Sequence, residues 1–356
     1  MAKDTICIIF GGASSEHEVS CMSAYGILSN IDYEKHDVIK LAILKDGRQF
    51  LYNGSLDKIK DASFAQDTDN LVPAVISPCP AHHGIMVLNK QTKTFEVKNV
   101  DLFWPSVHGE MCEDGNLQGL LKLSGVSFVG CDNASSAVCM DKSLTKALLE
   151  KTGLPMAKWH VFYKDGDREK GILWCEENLR YPIFVKPCST GSSVGVRRAE
   201  NRKEFEEALN EAFRYGFKVL AEETIVGSEI EIAVLEMLED GKKTLLVSKP
   251  GELVNNAGFY DYDNKYKNDT TSFYIPARLD DAQINEVMDY AKLVFTHLDC
   301  RTLSRVDFFK TENGFVFNEI NTLPGFTSIS MYPKLMQNMG ISYSRLIDLI
   351  IESARG

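Results

Sequence analysis

Arg305-Val-Asp-Phe-Phe309 and, a little further on, Phe317-Asn-Glu-Ile-Asn-Thr-Leu-Pro-Gly-Phe-Thr-Ser328 form the stretch on which the fold turns. Both are short apolar runs of strand character, and Thr311-Glu-Asn-Gly314 between them is a turn. Side chains two apart on a strand share a face, so Glu319 and Asn321 point the same way and a paired Asp307 joins them. This places hard oxygen donors beside Arg305. Such a set suits Mg²⁺, which takes a few carboxylates and completes its shell with water and phosphate oxygens. The plain alternative is a surface hairpin with solvated acids.

Working outward, the chain has 356 residues and a formal net charge of −11. That length predicts two or three domains. The acidic balance excludes a broad nucleic-acid surface, so any phosphate site must be local. Nine cysteines are scattered from Cys7 to Cys300 without a C-x-x-C pair, which reads as reduced, buried thiols in a cytoplasmic protein. No apolar run approaches the roughly 20 residues a membrane span requires, and the N-terminal apolar run is too short for a signal peptide.

The N-terminal pattern is a strand at 5–10, a turn at Gly11-Gly12, and a helix from Glu16 to Ile31. G-x-G-x-x-G is absent, which weakens a dinucleotide reading. Residues 52–100 lack clear periodicity and read as a variable insertion holding a solvated His82-His83 pair. Strands follow at Val100–Phe103 and Val126–Gly130, and Met140-Asp-Lys-Ser-Leu-Thr-Lys146 leads a helix to about Thr152. Next come strand Ile183–Pro187, a helix over 202–215, strand Val219–Thr224, a hairpin turning at Asp240-Gly241, a helix over 280–298 and a last helix from about Ser342.

Lys186-Pro-Cys-Ser-Thr-Gly-Ser-Ser-Val-Gly195 sets a lysine at a strand end before a loop of small residues, including Ser192 and Ser193. Small residues let backbone N–H groups and hydroxyls close around phosphate oxygens, although alone such a loop is more often a plain turn. Glu222 and Glu229 bracket the end of the next strand, where a carboxylate can accept from an adenine amino group or a ribose hydroxyl or simply face solvent.

Taken together, Lys146, Lys186 with its loop, Glu222 and the Asp307/Glu319/Asn321 set resemble the ATP-grasp superfamily. Gly11-Gly-Ala-Ser-Ser-Glu-His-Glu-Val-Ser20, His108-Gly with Glu113-Asp-Gly-Asn-Leu-Gln-Gly119, Phe259-Tyr-Asp-Tyr-Asp-Asn-Lys-Tyr266 and Asn321–Ser328 narrow the likeness to D-alanine:D-alanine ligases and their vancomycin-resistance relatives. The resemblance runs from residue 5 to the C-terminus. It implies an α/β chain, α+β in part, with a three-domain ATP-grasp architecture. The expected units are an N-terminal parallel-sheet α/β domain (1–137), a central domain carrying the phosphate loop (138–227) and a C-terminal domain carrying lid and metal site (228–356). The implied cofactors are ATP and two Mg²⁺ ions, with Mn²⁺ as a substitute, and the implied assembly is a homodimer.

The implied reaction is attack of one D-alanine carboxylate on the γ-phosphate of ATP, followed by displacement of phosphate by the amine of a second D-alanine, for peptidoglycan precursors. The resemblance assigns Lys146, Lys186, Ser193 and Lys265 to the phosphates, Glu222 to the adenine side and Glu229 to the ribose. It assigns Glu16 to the ammonium of the first D-alanine with His108 nearby, and Arg305 with the Gly325 N–H to an oxyanion hole. Ser330 and Met331 adjoin the second substrate. Acyl phosphates hydrolyse readily, so water must be kept out. Residues 255–267 are the expected lid, with Tyr266 closing onto Ser192 and Glu16. An aromatic loop packing on itself is the bland reading of that segment.

Three positions depart from the family pattern: Glu110-Met111-Cys112, where a Gly usually precedes Glu-Asp-Gly, Ile329 and Met331. Lys265-Tyr266 and Met331 favour D-alanine as second substrate, with D-serine, and less so D-lactate, as the alternative. An ATP-grasp ligase of other substrates need not carry Glu16, His108 or the Lys-Tyr pair. A non-catalytic ATP-binding module would be expected to have lost Arg305, Asp307, Glu319 or Asn321.

Overall fold

The computed structural model describes residues 3–255 and 271–356. Three sheets follow one another along the chain. The first contains β1 (Asp4–Gly11), β2 (His36–Ile43), β3 (Gln49–Tyr52), β4 (Leu71–Ile76), β5 (Gly84–Leu88), β6 (Phe95–Asn99), β7 (Leu102–Pro105) and β8 (Ser127–Phe128). Their order is β6-β5-β4-β3-β2-β1-β7-β8. β2, β1, β7 and β8 are parallel, whereas β2 to β6 run as antiparallel neighbours.

The parallel-sheet expectation therefore holds for one half of this sheet only. Residues 52–100, read as an insertion without pattern, supply most of the antiparallel half. Strands this short offer too few alternations to stand out, and the burial of β6 shows why: all five of its residues are exposed. His82 is half-buried with its Nδ1 2.7 Å from Ser77 Oγ, and His83 is exposed. The strand expected at Val100–Phe103 starts at Leu102, which pairs with Ile6, because the Asp101 carboxylate instead takes the Thr5 N–H at 2.7 Å.

β1 is the switch point of the parallel half, because the chain leaves it towards β2 on one side and returns as β7 on the other. Ligands of open α/β sheets gather at the carboxyl ends of strands at such a point. Here those ends carry Gly11-Gly12 and, beyond β7, His108. One face of β1 (Ile6, Ile8, Phe10) packs on the helix His17–Asn30 and on residues from the last two helices, Met331–Asn338 and Tyr343–Arg355. The other face, Cys7 and Ile9, packs on Leu117 and Leu121. The two-residue alternation thus buries both sides of a central strand.

The second sheet has β9 (Trp159–Tyr163), β10 (Ile183–Pro187), β11 (Arg197–Ala199) and β12 (Lys218–Glu223) in the order β11-β10-β12-β9, with antiparallel pairs throughout. The third has β13 (Ser228–Glu239), β14 (Lys242–Val247), β15 (Gly251–Asn255), β16 (Thr271–Tyr274), β17 (Leu303–Thr311) and β18 (Gly314–Asn321) in the order β16-β15-β13-β17-β18, with β14 on β13. Asp240 and Gly241 both have positive φ and close the β13–β14 turn, the backbone that Asp-Gly adopts at least cost. The helix expected over 280–298 spans Asp281–His297, and Asp280 caps it by accepting from the Gln283 N–H.

Candidate active site

β17 and β18 place the four residues of the opening motif on one patch. Arg305 pairs in register with Asn321 and Asp307 with Glu319. The Arg305 guanidinium donates through Nε to Asp307 Oδ1 at 2.8 Å and through Nη2 to Oδ2 at 2.7 Å. Its Nε also lies 3.0 Å from Glu231 Oε2 on the neighbouring β13. Burial opposes the charge on this guanidinium, yet Asp307 and Glu231 hold it firmly protonated. Asn321 Nδ2 donates to Asp307 Oδ2 at 3.1 Å.

Among the described residues no group of three or more His, Cys, Asp or Glu side chains is assembled for a metal. The donor set here is two carboxylates and one amide oxygen. That is the chemistry of a Mg²⁺ site sharing its shell with water and phosphate rather than of a closed protein cage, so these residues fit the expected ion.

Lys146, on the helix Lys142–Leu149, and Lys186, on β10, converge on Glu222 of β12, at 2.7 Å and 2.6 Å respectively. Burial alone would raise the Glu222 pKa, but the two ammonium charges outweigh it and hold the carboxyl down at about 2. Burial likewise opposes the charge of Lys186, and Glu222 reverses that, so its pKa is raised. Glu222 thus sits as the shared counter-ion of both lysines. Glu229 on β13 lines the same cavity, of about 580 Å³, together with Ser192 and Ser193. Ser192 and Ser193 have φ of 49° and 59°, a bend that turns this loop back towards the first sheet.

A second cavity of about 380 Å³ lies against the carboxyl ends of the first sheet. Glu16, at the start of the first helix, is buried there and accepts a hydrogen bond from Ser192 Oγ. His108 is buried beside it. The His108 Nδ1 faces the Leu323 carbonyl at 3.0 Å and Nε2 faces Ser23 Oγ at 3.0 Å. The Phe326 N–H donates to that same hydroxyl, so the consistent assignment protonates Nδ1 and lets Nε2 accept from Ser23. Burial pushes the imidazole pKa below its ordinary value. With both nitrogens engaged, His108 ties the first helix to the 323–326 turn.

Ser330 Oγ accepts the Thr327 N–H at 3.0 Å and lies 2.8 Å from Thr327 Oγ1, while Met331 and Ile329 line the same cavity. A Cβ on Gly325 would approach Ser330 Oγ to 2.9 Å, so a side chain there would push this hydroxyl away from Thr327. Lys265 and Tyr266 lie outside the described residues.

Three members of the site escaped the reading of the sequence. Lys142 sits one helical turn before Lys146 and lines both cavities. Glu231 follows Glu229 by two on β13 and so shares its face. Glu113 is buried with its Oε1 accepting the Gly109 N–H at 3.1 Å. Its burial, aided by the nearby Glu16 charge, raises its pKa well above the ordinary value. The spacing of the two strand glutamates was the available signal. Nothing in the linear order ties Glu113 to Glu16.

The description "D-ala D-ala ligase N-terminus" matches residues 5–131 and "D-ala D-ala ligase C-terminus" matches residues 148–352. The D-alanine–D-alanine ligase of Caldicellulosiruptor bescii is 41% identical, covering 99% of this chain and 96% of that protein. That of Ruminiclostridium cellulolyticum is 43% identical with the same coverage. Among solved structures, the VanG D-Ala:D-Ser ligase of Enterococcus faecalis superposes with a TM-score of 0.90 at 37% identity, covering 99% of this chain and all of that one. The D-alanine-D-alanine ligase from Coxiella burnetii gives 0.84 at 32%, covering 99% and 95%. The fold is accordingly that of the ATP-grasp ligases, and the chain belongs to the D-alanine–D-alanine ligase family.

Proposed function

We propose that this chain joins two D-alanine molecules into D-alanyl-D-alanine with the conversion of ATP to ADP and phosphate. The observation that carries this reading is the meeting of two cavities along one wall. One holds Lys186, Glu222 and Lys142, suited to a nucleotide triphosphate, while Lys146 is buried behind Glu222 and lines neither cavity. The other holds Glu16 and Arg305, an anion for an ammonium and a cation for a developing oxyanion.

In this reading a D-alanine carboxylate oxygen bonds to the γ-phosphorus while the bond to the β–γ bridging oxygen breaks, its electron pair leaving on ADP. Lys186 binds the nucleotide phosphates and the Ser192-Ser193 loop covers them, whereas Lys146, expected at the phosphates, is buried against Glu222 and acts on the site through that carboxylate. Glu222 and Glu229 face the nucleoside side of the same cavity. Glu16 anchors the first ammonium. The amine of the second D-alanine then attacks the acyl carbon, where Arg305 and the Gly325 N–H stabilise the oxyanion, and phosphate leaves. Ser330 and Met331 border the second amino acid. Asp307, Glu319 and Asn321 would hold Mg²⁺, which when bound neutralises phosphate charge. Lys265 and Tyr266 would close over the site and exclude water.

The three sheets support division into units at 1–137, 138–227 and 228–356. Family membership supports a homodimer acting in the cytoplasm on peptidoglycan precursors; among the described residues no helix is long and apolar enough to cross a membrane. The test of function is ADP release and product mass with D-alanine alone, then with D-serine or D-lactate in competition. D-alanyl-D-alanine as the dominant product is expected. A dominant mixed product would overturn the choice of second substrate.

A further inference from the structure

Three cysteines gather where the helix Asn133–Met140 meets the turn before β17. Cys139, near the end of that helix, and Cys300, in the turn, are 161 residues apart in the chain, yet their Sγ atoms stand 3.8 Å apart. Cys131 completes the group, its Sγ accepting the Arg301 N–H at 3.3 Å. All three are buried. Cys139 alone among the cysteines lines either of the two cavities, the one at Glu16, next to Met140 and Lys142.

The fold holds the two thiols against each other. Asp299 and Thr302, on either side of Cys300, have φ of 51° and 60°, a left-handed backbone that few non-glycine residues adopt. Ser135 ties this turn to the helix, its Oγ donating to the Asp299 carbonyl at 2.9 Å. Access differs between the sulfurs: a molecule little larger than water reaches Cys139 from the cavity, whereas Cys300 lines neither cavity. Both thiols adjoin the site. Cys139 runs into Asp141 and Lys142, which start the helix Lys142–Leu149, and Cys300 runs into β17, which carries Arg305 and Asp307.

We propose that Cys139 and Cys300 are a site of oxidative modification, at which hydrogen peroxide entering by the cavity at Glu16 forms a disulfide that slows the enzyme until a thiol reductant reopens it. The linkage stands apart from the ligase reading above; the slowing rests on it. In the first step the Cys139 sulfur attacks one peroxide oxygen, the O–O bond breaks, and water leaves with the thiol proton, giving a sulfenic acid. The Cys300 sulfur then attacks the sulfenic sulfur, the S–O bond breaks, and a second water carries off the hydroxyl and the Cys300 proton. Two thiols lose two electrons, and peroxide is reduced to two waters. A disulfide sets its sulfurs about 2.05 Å apart, so closing the 3.8 Å contact draws the helix end and the turn together. A misplacement of about 1 Å in a positioned group costs up to about 100-fold in rate, and the moving segments lead directly to Lys142 and Arg305.

The competing explanation is a packed thiol cluster that oxidants do not reach. Full-length wild type and Cys300→Ala are treated with hydrogen peroxide until the exposed Cys79, the internal reference, is oxidised. Remaining thiols are alkylated in denaturant, unreduced digests are read by mass spectrometry, and D-alanine-dependent ADP release is followed in parallel. For the wild type we expect a peptide pair linked through Cys139 and Cys300, a fall of about tenfold in ADP release and recovery with dithiothreitol. A non-hydrolysable ATP analogue with Mg²⁺ and D-alanine should slow the linkage by filling the route. In Cys300→Ala the sulfenic acid lacks its partner, and dimedone should label Cys139. Full alkylation of both cysteines in the treated wild type, or a linkage that leaves ADP release unchanged, would overturn the proposal, and a linkage rate indifferent to those ligands would overturn entry by the cavity. A wild type that forms the linkage but shows no D-alanine-dependent ADP release before oxidation would overturn the ligase reading instead.

Discussion

Glu222 shows how much a single residue changes in meaning between chain and fold. Its position at a strand end was legible, and its partners were not. Lys146 and Lys186 come from a helix and a strand far apart in sequence and reach its two oxygens. Removing the carboxylate charge leaves two buried cations facing each other, so Glu222→Gln should cost about 3–5 kcal/mol, measured by urea unfolding at pH 7. The folded pKa of about 2 lies below the ordinary 4.5. The stabilisation is therefore fully present above pH 4.5 and lost as pH falls from 4.5 towards 2. The wild type should lose stability through that window more steeply than Glu222→Gln, and parallel acid limbs for the two proteins would contradict the assignment.

Among the elements, strands were read best where a short turn of polar residues and glycine joins two of them. The β17–β18 hairpin, with its turn at Glu312-Asn313, and the β13–β14 turn at Asp240-Gly241 stand where the pattern put them. The short strands between 52 and 100 went unread because their pairing partners, and not their own alternation, define them. The phosphate loop is the element whose fit is tightest. A Cβ on Gly191 would lie 2.7 Å from Glu16 Oε2. That atom ends a flexible side chain, so Gly191→Ala should shift Glu16 rather than unfold the loop. We expect KM for D-alanine to rise about tenfold, a loss of roughly 1.4 kcal/mol, with the thermal midpoint nearly unchanged. An unaltered KM would mean that Glu16 does not hold the first substrate.

At the scale of the whole molecule, one hydrophobic core joins the ends of the chain. Ile6, Phe10 and Ile27 pack with Tyr332, Leu346 and Ile350, and Tyr343 OH donates to the Phe326 carbonyl on the turn that Ser23 also holds. The cavity at Glu16 and His108 is thus walled by residues from the first helix and from the 320–334 segment, whereas the cavity at Lys186 and Glu222 lies between the second and third sheets. A ligand bridging these parts stabilises the folded state by mass action, about 2.7 kcal/mol at 100 times its Kd. A non-hydrolysable ATP analogue with Mg²⁺ should therefore raise the melting midpoint by several degrees, and a chelator should remove most of that gain. A shift indifferent to the chelator would argue against the Asp307/Glu319/Asn321 site.

From the linear chain alone came the acid and base residues, the Gly/Ser loop and the strand pair that orders Asp307, Glu319 and Asn321, because period-two alternation and turn residues act locally and are written in adjacent positions. Folding in three dimensions was needed to make Glu222 a shared counter-ion, to bury Glu113 near Glu16, to deliver Glu231 to Arg305, and to set Lys142 between two cavities. Those properties arise from distances between segments and from burial, and both are fixed by packing across sheets rather than by the order of neighbours along the chain.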